Sequence, residues 1–412
     1  MTELPMKNVA VASQGRNSLR RLFPLGFFVA CLLFWWLPSI LFRSVGLEDP
    51  IEAWTLRVSA SALGIFLAGY FLPARMGSRQ VVSQGTIDLC ERFSYSATKA
   101  VAIPAFIVGL NFAVYRAGMV YGEGNDIPLL TQAILYSHMF VAYMFIATVP
   151  DCEGANRRRV LIVSTLVILP RLFISLHWGR FFVGQTIVSI LFLLLARGWI
   201  RVSFKRVVQL SLLALMILFV PSLTRGDPIG GNDARGIPRW LDYFQAGSTL
   251  QFFQNDRRAI HWDCPPLLVS MTAKIIPYTA LHVCTMDVGE THNVIATLDH
   301  LLTRRNSNDL GSGAGSNYLL ELYLTGGLPA IFIGSFLFGA ISRRLVESMA
   351  YRSLFAGIWA ECLVRALFAP RGNLGYVFER IPSLLLATLA VVVLCRWANI
   401  LRHSPLPSRL AA

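Results

Sequence analysis

The sequence predicts an all-α polytopic membrane protein of about ten transmembrane helices, each long enough for a bilayer of ~30 Å. Both termini are expected in the cytoplasm, and one large loop on the opposite side. Three observations predict this. The 412 residues are 55% hydrophobic and only 15% charged, against about 25% charged in soluble domains. Lys and Arg cluster just outside alternate apolar segments. One long polar stretch, residues 225–317, interrupts an otherwise regular series of spans and short loops.

The elements follow in order. Lys7, Arg16, Arg20 and Arg21 precede a first span at 22–42, rich in Phe and Trp. That apolar segment has no small-residue cleavage site and is read as a span rather than a signal peptide. Asp49 and Glu52 lead to a second span at 53–73, which ends at Arg75 and Arg79. Residues 76–97 read as a surface segment, followed by a third span at 98–118 and a fourth at 128–149. Arg157, Arg158 and Arg159 come next. The fifth and sixth spans, 160–178 and 181–199, are separated by Gly179-Arg180. A seventh, 207–224, enters the large loop. The eighth is 318–341, closing at Arg343-Arg344, and the ninth is 354–370. A short outer loop, 371–380, leads to the tenth, 381–398, and a basic tail.

Charge sets the orientation. With the N-terminus inside, every short inner segment carries a Lys/Arg cluster. The short outer loops carry few: Arg43, Arg116, Arg180, Arg371 and Arg380. Long loops do not vote in this rule, so the large loop faces the periplasm or exterior. The chain divides into spans one to seven (1–224), the large periplasmic loop (225–317), and spans eight to ten with the tail (318–412). An apolar stretch at 266–283 is read as a loop helix hugging the membrane, because Lys274 and Pro277 interrupt it.

The net charge of +14 does not point to nucleic acid, because the positives flank apolar spans instead of forming a soluble basic face. Seven Cys show no C-x-x-C spacing. Cys264 and Cys284 share the large loop, where a disulfide and two buried thiols both remain open. Walker A, H-E-x-x-H and G-x-S-x-G motifs are absent from the sequence. No cofactor and no metal is expected.

Ionisable groups within spans are costly and mark cavities or partners. Arg171 follows Pro170 inside the fifth span, and Arg180 sits in the five–six hairpin. Glu361 and Arg365, four apart, are most simply an internal ion pair. Glu321 lies one turn into the eighth span, and Arg371 opens the last outer loop, at the outer surface. The large loop adds Arg235, Arg239, Arg257 and Arg258. Its residues 239–255 read as an amphipathic helix with Trp240, Tyr243, Phe244, Phe252 and Phe253. Guanidinium forks suit phosphate and carboxylate, so this set suits a lipid-linked phosphate or diphosphate, or a soluble anion. His261, Glu290 and His292 in the loop are candidates for a general base.

The run Gly313-Ala-Gly-Ser-Asn-Tyr-Leu-Leu-Glu-Leu-Tyr-Leu-Thr-Gly-Gly-Leu-Pro-Ala-Ile-Phe-Ile-Gly334 resembles the segment after the large loop of bacterial O-antigen, or oligosaccharide repeat-unit, polymerases (Wzy-type). His177-Trp-Gly-Arg180-Phe resembles their turn of a small residue and Arg, although Trp-Gly stands where Ser often precedes the arginine. Arg371-Gly-Asn-Leu resembles their late outer Arg. The resemblance covers the fifth to tenth spans; the first four match by hydropathy alone.

The resemblance implies a GT-C-like glycosyltransferase architecture in the bacterial inner membrane, acting on undecaprenyl-diphosphate-linked glycans at the periplasmic face. It implies transfer of a growing chain from its lipid diphosphate to a sugar hydroxyl of the next unit, without metal. Arg171, Arg180, Arg239, Arg257, Arg258 and Arg371 are then the diphosphate contacts. Glu290, His292 and His261 are the candidate catalytic bases, and Glu321 is an orienting group. A chain-length regulator and a flippase are the implied partners, besides membrane lipids. An O-antigen ligase-like enzyme uses the same donor with a different acceptor. A transporter of polysaccharide or lipid-linked sugar is the alternative of another class, and predicts internal repeats that the sequence does not show.

Overall fold

A computed structural model describes residues 4–44, 52–72, 83–116, 129–177, 181–200, 317–372, 374–378 and 381–403. Within them every element is helical. The helices are α1 (Leu4–Cys31), α2 (Leu37–Ser44), α3 (Ala53–Phe71), α4 (Gln84–Arg116), α5 (Leu129–Thr148), α6 (Gly154–His177), α7 (Phe181–Ala196), α8 (Tyr318–Met349), α9 (Ala356–Leu367), α10 (Leu374–Phe378) and α11 (Ile381–His403). A single π-turn, Leu32–Trp36, joins α1 to α2. The expected seventh span and the loop at 225–316 lie outside the described residues. So do Arg180, Arg235, Arg239, Arg257, Arg258, His261, Glu290 and His292, and the two loop cysteines.

Three helical stretches are long and apolar enough to cross a membrane: Ser18–Trp36, Gln84–Val114 and Thr325–Met349. Shorter apolar helices are Ala133–Thr148, Val183–Ala196 and Leu384–Trp397. Their outward faces are apolar too. Ile103, Ile107, Leu110 and Val114 form an exposed stripe on α4 at helical spacing, and Leu386, Leu389, Val393 and Trp397 form one on α11. Such stripes are costly in water and neutral against lipid, so these are the helices of a membrane protein.

One end of the bundle is fixed by ion pairs. Arg20 of α1 and Arg343 of α8 both bind Glu347, at 2.6 and 2.7 Å. Arg352, just before α9, binds Asp88 and Glu91 of α4, each at 2.7 Å, and donates to the Thr148 carbonyl at the end of α5. Arg197, after α7, donates to the carbonyls of Ala147, Val149 and Pro150 at 2.9, 2.8 and 3.2 Å. These contacts gather the ends of α5, α7 and α8 with the start of α4, so the helices alternate in direction. Cations on the last carbonyls of a helix satisfy acceptors that have no partner within it.

α3 runs parallel to the second part of α8. A methyl at Gly69 would strike the Phe336 carbonyl, and one at Gly339 would strike the Phe66 carbonyl. Glycine at both positions lets the two backbones touch, the usual device for close helix packing in membranes. Gly109 does the same for α4 against Pro170 of α6.

Two expectations change here. The surface segment 76–97 and the span 98–118 are largely one helix: α4 is continuous from Gln84 to Arg116. Its polar first turns are anchored by Arg352 at the paired end, so chain that looks too polar for a span still extends one. The eighth span, expected as a single crossing over 318–341, is two helices folded back on each other. Gly326 and Gly327 leave helical geometry, and Gly327 has φ 68° and ψ −153°, a region in which only glycine is at ease. The Tyr318 ring then lies 5.5 Å from that of Phe338, tilted at 52°, twenty residues on, and Leu322 packs on Gly334. A straight helix would separate the first pair by about 30 Å. Residues 318–325 are therefore a re-entrant limb that starts deep in the bundle, beside Phe27 and Trp35.

Candidate functional site

The deep start of the re-entrant limb is built from its sequence. Asn317, extended at φ −130° and ψ 159°, caps α8: its Oδ1 accepts from the Leu320 N–H at 2.8 Å. The Tyr318 N–H, a second amide of the first turn, donates to the Ala369 carbonyl at 3.1 Å. Glu321, one turn on and buried, accepts the Leu374 N–H on Oε2 at 2.6 Å. That amide opens α10, so a carboxylate sits where a helix start favours negative charge.

The last two of these contacts grip one turn. After α9 ends, Arg371 N and Gly372 N both return to the Phe368 carbonyl, at 2.9 and 2.7 Å. The Pro370 carbonyl accepts the Trp35 Nε1–H at 2.8 Å. Arg371 is half-buried, its guanidinium over the Phe34 ring at 6.0 Å. The Arg371 turn thus backs onto the deep end of the re-entrant limb. Eight residues of helix place it about 12 Å below the Gly326–Gly327 tip. Ala369 is tied to Tyr318 and not to the hairpin's tip, so the Arg371 turn is recessed from that tip.

A second polar centre lies one turn earlier on α9. Glu361 Oε1 meets Arg365 Nε at 3.2 Å, and both side chains are buried, at 1% and 0% exposure. From α7, Gln185 donates to the same Oε1, and Ser189 Oγ donates to Oε2 at 3.4 Å. The expected internal ion pair is present, with two neutral donors that hydropathy alone did not single out. Gln185 and Ser189 have the same i, i+4 spacing within an apolar run, and that spacing was the signal to find them. A carboxylate with three donors is an anchored anion that ties α7 to α9.

Arg171 sits elsewhere, on α6 against α5. Its guanidinium donates to the Leu135 carbonyl at 3.2 Å and lies 5.9 Å over the Tyr136 ring. It is 4% exposed. Tyr143, farther along α5, is within charge reach of both Arg171 and Glu361. Of the sequence-derived site residues, the structure brings Glu321 and the Arg371 turn together and places Arg171 on the α5–α6 pair. Arg180, Arg239, Arg257, Arg258, His261, Glu290 and His292 fall outside the described residues. Trp35 and Asn317 were not singled out from sequence. Asn before an apolar helix is a capping signal, whereas a tryptophan in an aromatic-rich span carries none.

No curated protein and no solved structure matches the chain. The family model O-antigen polysaccharide polymerase Wzy matches residues 275–399, a stretch that contains both limbs of α8, α9, the Arg371 turn and most of α11. Over that stretch the chain is similar to the O-antigen polysaccharide polymerases, and the match supports a Wzy-type family.

Proposed function

We propose that the protein polymerises undecaprenyl-diphosphate-linked oligosaccharide repeat units into O-antigen or exopolysaccharide at the periplasmic face of the bacterial inner membrane. The observation that supports this best is the Arg371 turn, held by Glu321 within the segment that matches the polymerase family. The proposal includes ten spans with both termini in the cytoplasm, residues 225–317 as a periplasmic loop, and residues 1–224 and 318–412 as the flanking spans. The contacts of Arg20, Arg197, Arg343 and Arg352 at one end of the bundle are consistent with that end as the cytoplasmic one.

The chemistry is a metal-independent glycosyl transfer. A sugar hydroxyl of the incoming unit attacks the anomeric carbon of the growing chain. The carbon–oxygen bond to the lipid diphosphate breaks, and the diphosphate leaves with the bonding pair. The hydroxyl proton passes to a base, for which Glu290, His292 and His261 are the candidates. Charge develops on the leaving diphosphate, and fixed guanidiniums stabilise it where water is excluded. Arg371 is assigned that role, with Arg171, Arg180, Arg239, Arg257 and Arg258 as further diphosphate contacts. Glu321 orients Arg371 by fixing the Leu374 amide at the far side of the turn. A chain-length regulator and a flippase are its proposed partners.

A deletion strain tests the reading through its glycan ladder on a gel. Lipid A core carrying one repeat unit, restored to a full ladder by the wild-type gene, is the expected result. Bare core with accumulated long lipid-linked polymer indicates a ligase. Repeat units trapped on the cytoplasmic side indicate a flippase. Either of these overturns the reading.

A further inference from the structure

The π-turn of the first membrane helix lies far from the family-matched segment in sequence, yet it touches the Arg371 turn. Leu19, Phe23, Phe27, Cys31, Trp35 and Ser39 are all buried, and each is four residues from the last. In an α-helix each such step rotates by about 40°, so a row of six drifts off the face it began on. The π-turn at Leu32–Trp36, closed by the Leu37 N–H to the Leu32 carbonyl, inserts one residue and returns the row to the bundle. Turns of this kind are frequent at functional sites. Here its product is a pair of adjacent buried rings with separate tasks. The Trp35 Nε1–H holds the Pro370 carbonyl at 2.8 Å, and the Phe34 ring lies 6.0 Å beneath the Arg371 guanidinium. Trp35 also packs on Tyr318 at 5.7 Å, so one side chain links the re-entrant limb to the turn.

We infer that Trp35, with Phe34, is a positioning residue for Arg371: the π-turn of α1 sets where that guanidinium meets the diphosphate. The inference rests on the function proposed above. A buried tryptophan N–H needs an acceptor, and this one takes the carbonyl immediately before the arginine. Losing it frees the turn to shift by a fraction of an ångström to an ångström. A misplacement of about 1 Å can cost up to about 100-fold in rate.

The test uses full-length enzyme in native membranes of the deletion strain and lipid-linked repeat units extracted from that strain. Trp35→Phe keeps an aromatic ring, though a smaller one, and removes the donor; Phe34→Leu keeps an apolar side chain and removes the π-face. Each is expected to lower kcat/KM about 10-fold or more, at unchanged protein level. In an Arg371→Lys background the same changes are expected to cost less than about twofold, because the group they position is gone. A purely structural role gives the same loss in both backgrounds and overturns the inference. Full activity in Trp35→Phe and Phe34→Leu overturns it too. If Trp35→Phe does not accumulate, Phe34→Leu decides by the same comparison. If Arg371→Lys itself leaves kcat/KM unchanged, the failure lies with the proposed function.

Discussion

The two ends of α9 handle arginine in opposite ways. Before its start, Arg352 shares two carboxylates and a carbonyl, and nearby Arg20 and Arg343 share Glu347. After its end, Arg371 rests on an aromatic ring in a turn whose backbone is held by Trp35 and Glu321. At the first end guanidiniums are structural staples, and several carry the same load. At the second, Trp35, Tyr318 and Glu321 bind the backbone on either side of Arg371. Glu361 and Arg365 lie between, a buried pair within α9. The difference teaches that counting arginines in a membrane protein says little, and that what their neighbours bind says more.

The comparison breaks most readily at the buried pair. Glu361→Ala leaves Arg365 buried without its carboxylate and is expected to cost about 3–5 kcal/mol, read as a large drop in the thermal midpoint of detergent-solubilised protein. Replacing both residues by Leu is expected to recover most of that loss. A Glu361→Ala protein of wild-type stability would mean that the pair does not hold α7 to α9. The next effect belongs to the helix contacts. Gly339→Leu drives a side chain into the Phe66 carbonyl and is expected to cost about 1–3 kcal/mol; size-exclusion of the solubilised protein shows whether α3 still docks. Gly327→Ala puts a Cβ at φ 68°, ψ −153°, at about 1–3 kcal/mol, and is expected to reduce activity as well, because the hairpin places Asn317 and Glu321. Arg352→Ala sits at the bottom of the scale. Its ion pairs are partly exposed, with Asp88 half-open, and the expected loss is about 1 kcal/mol or less, with polymer length unchanged.

Some of this was legible in the sequence, for stated reasons. Helix type and position follow from apolar length, and the buried pair follows from Glu361 and Arg365 at i, i+4. The fold-back of α8 was hidden because apolar residues lie on both sides of Gly326-Gly327, so the run reads as one span. Gly-Gly followed by Leu-Pro is turn chemistry, and it was the signal to weigh. The recess of Arg371 was not legible, since depth depends on Tyr318 meeting Ala369, a contact across 51 residues of chain. The link from Trp35 to Pro370 spans 335 positions, and local pattern does not register it.

The most direct test of the contrast is a matched pair of complementations in the deletion strain, Arg371→Ala against Arg352→Ala, each at wild-type protein level in the membrane. The expected result is loss of the glycan ladder with Arg371→Ala and a full ladder with Arg352→Ala. A full ladder from Arg371→Ala, or loss of the ladder from Arg352→Ala in protein that remains folded, would contradict the assignment of chemistry to the recessed turn.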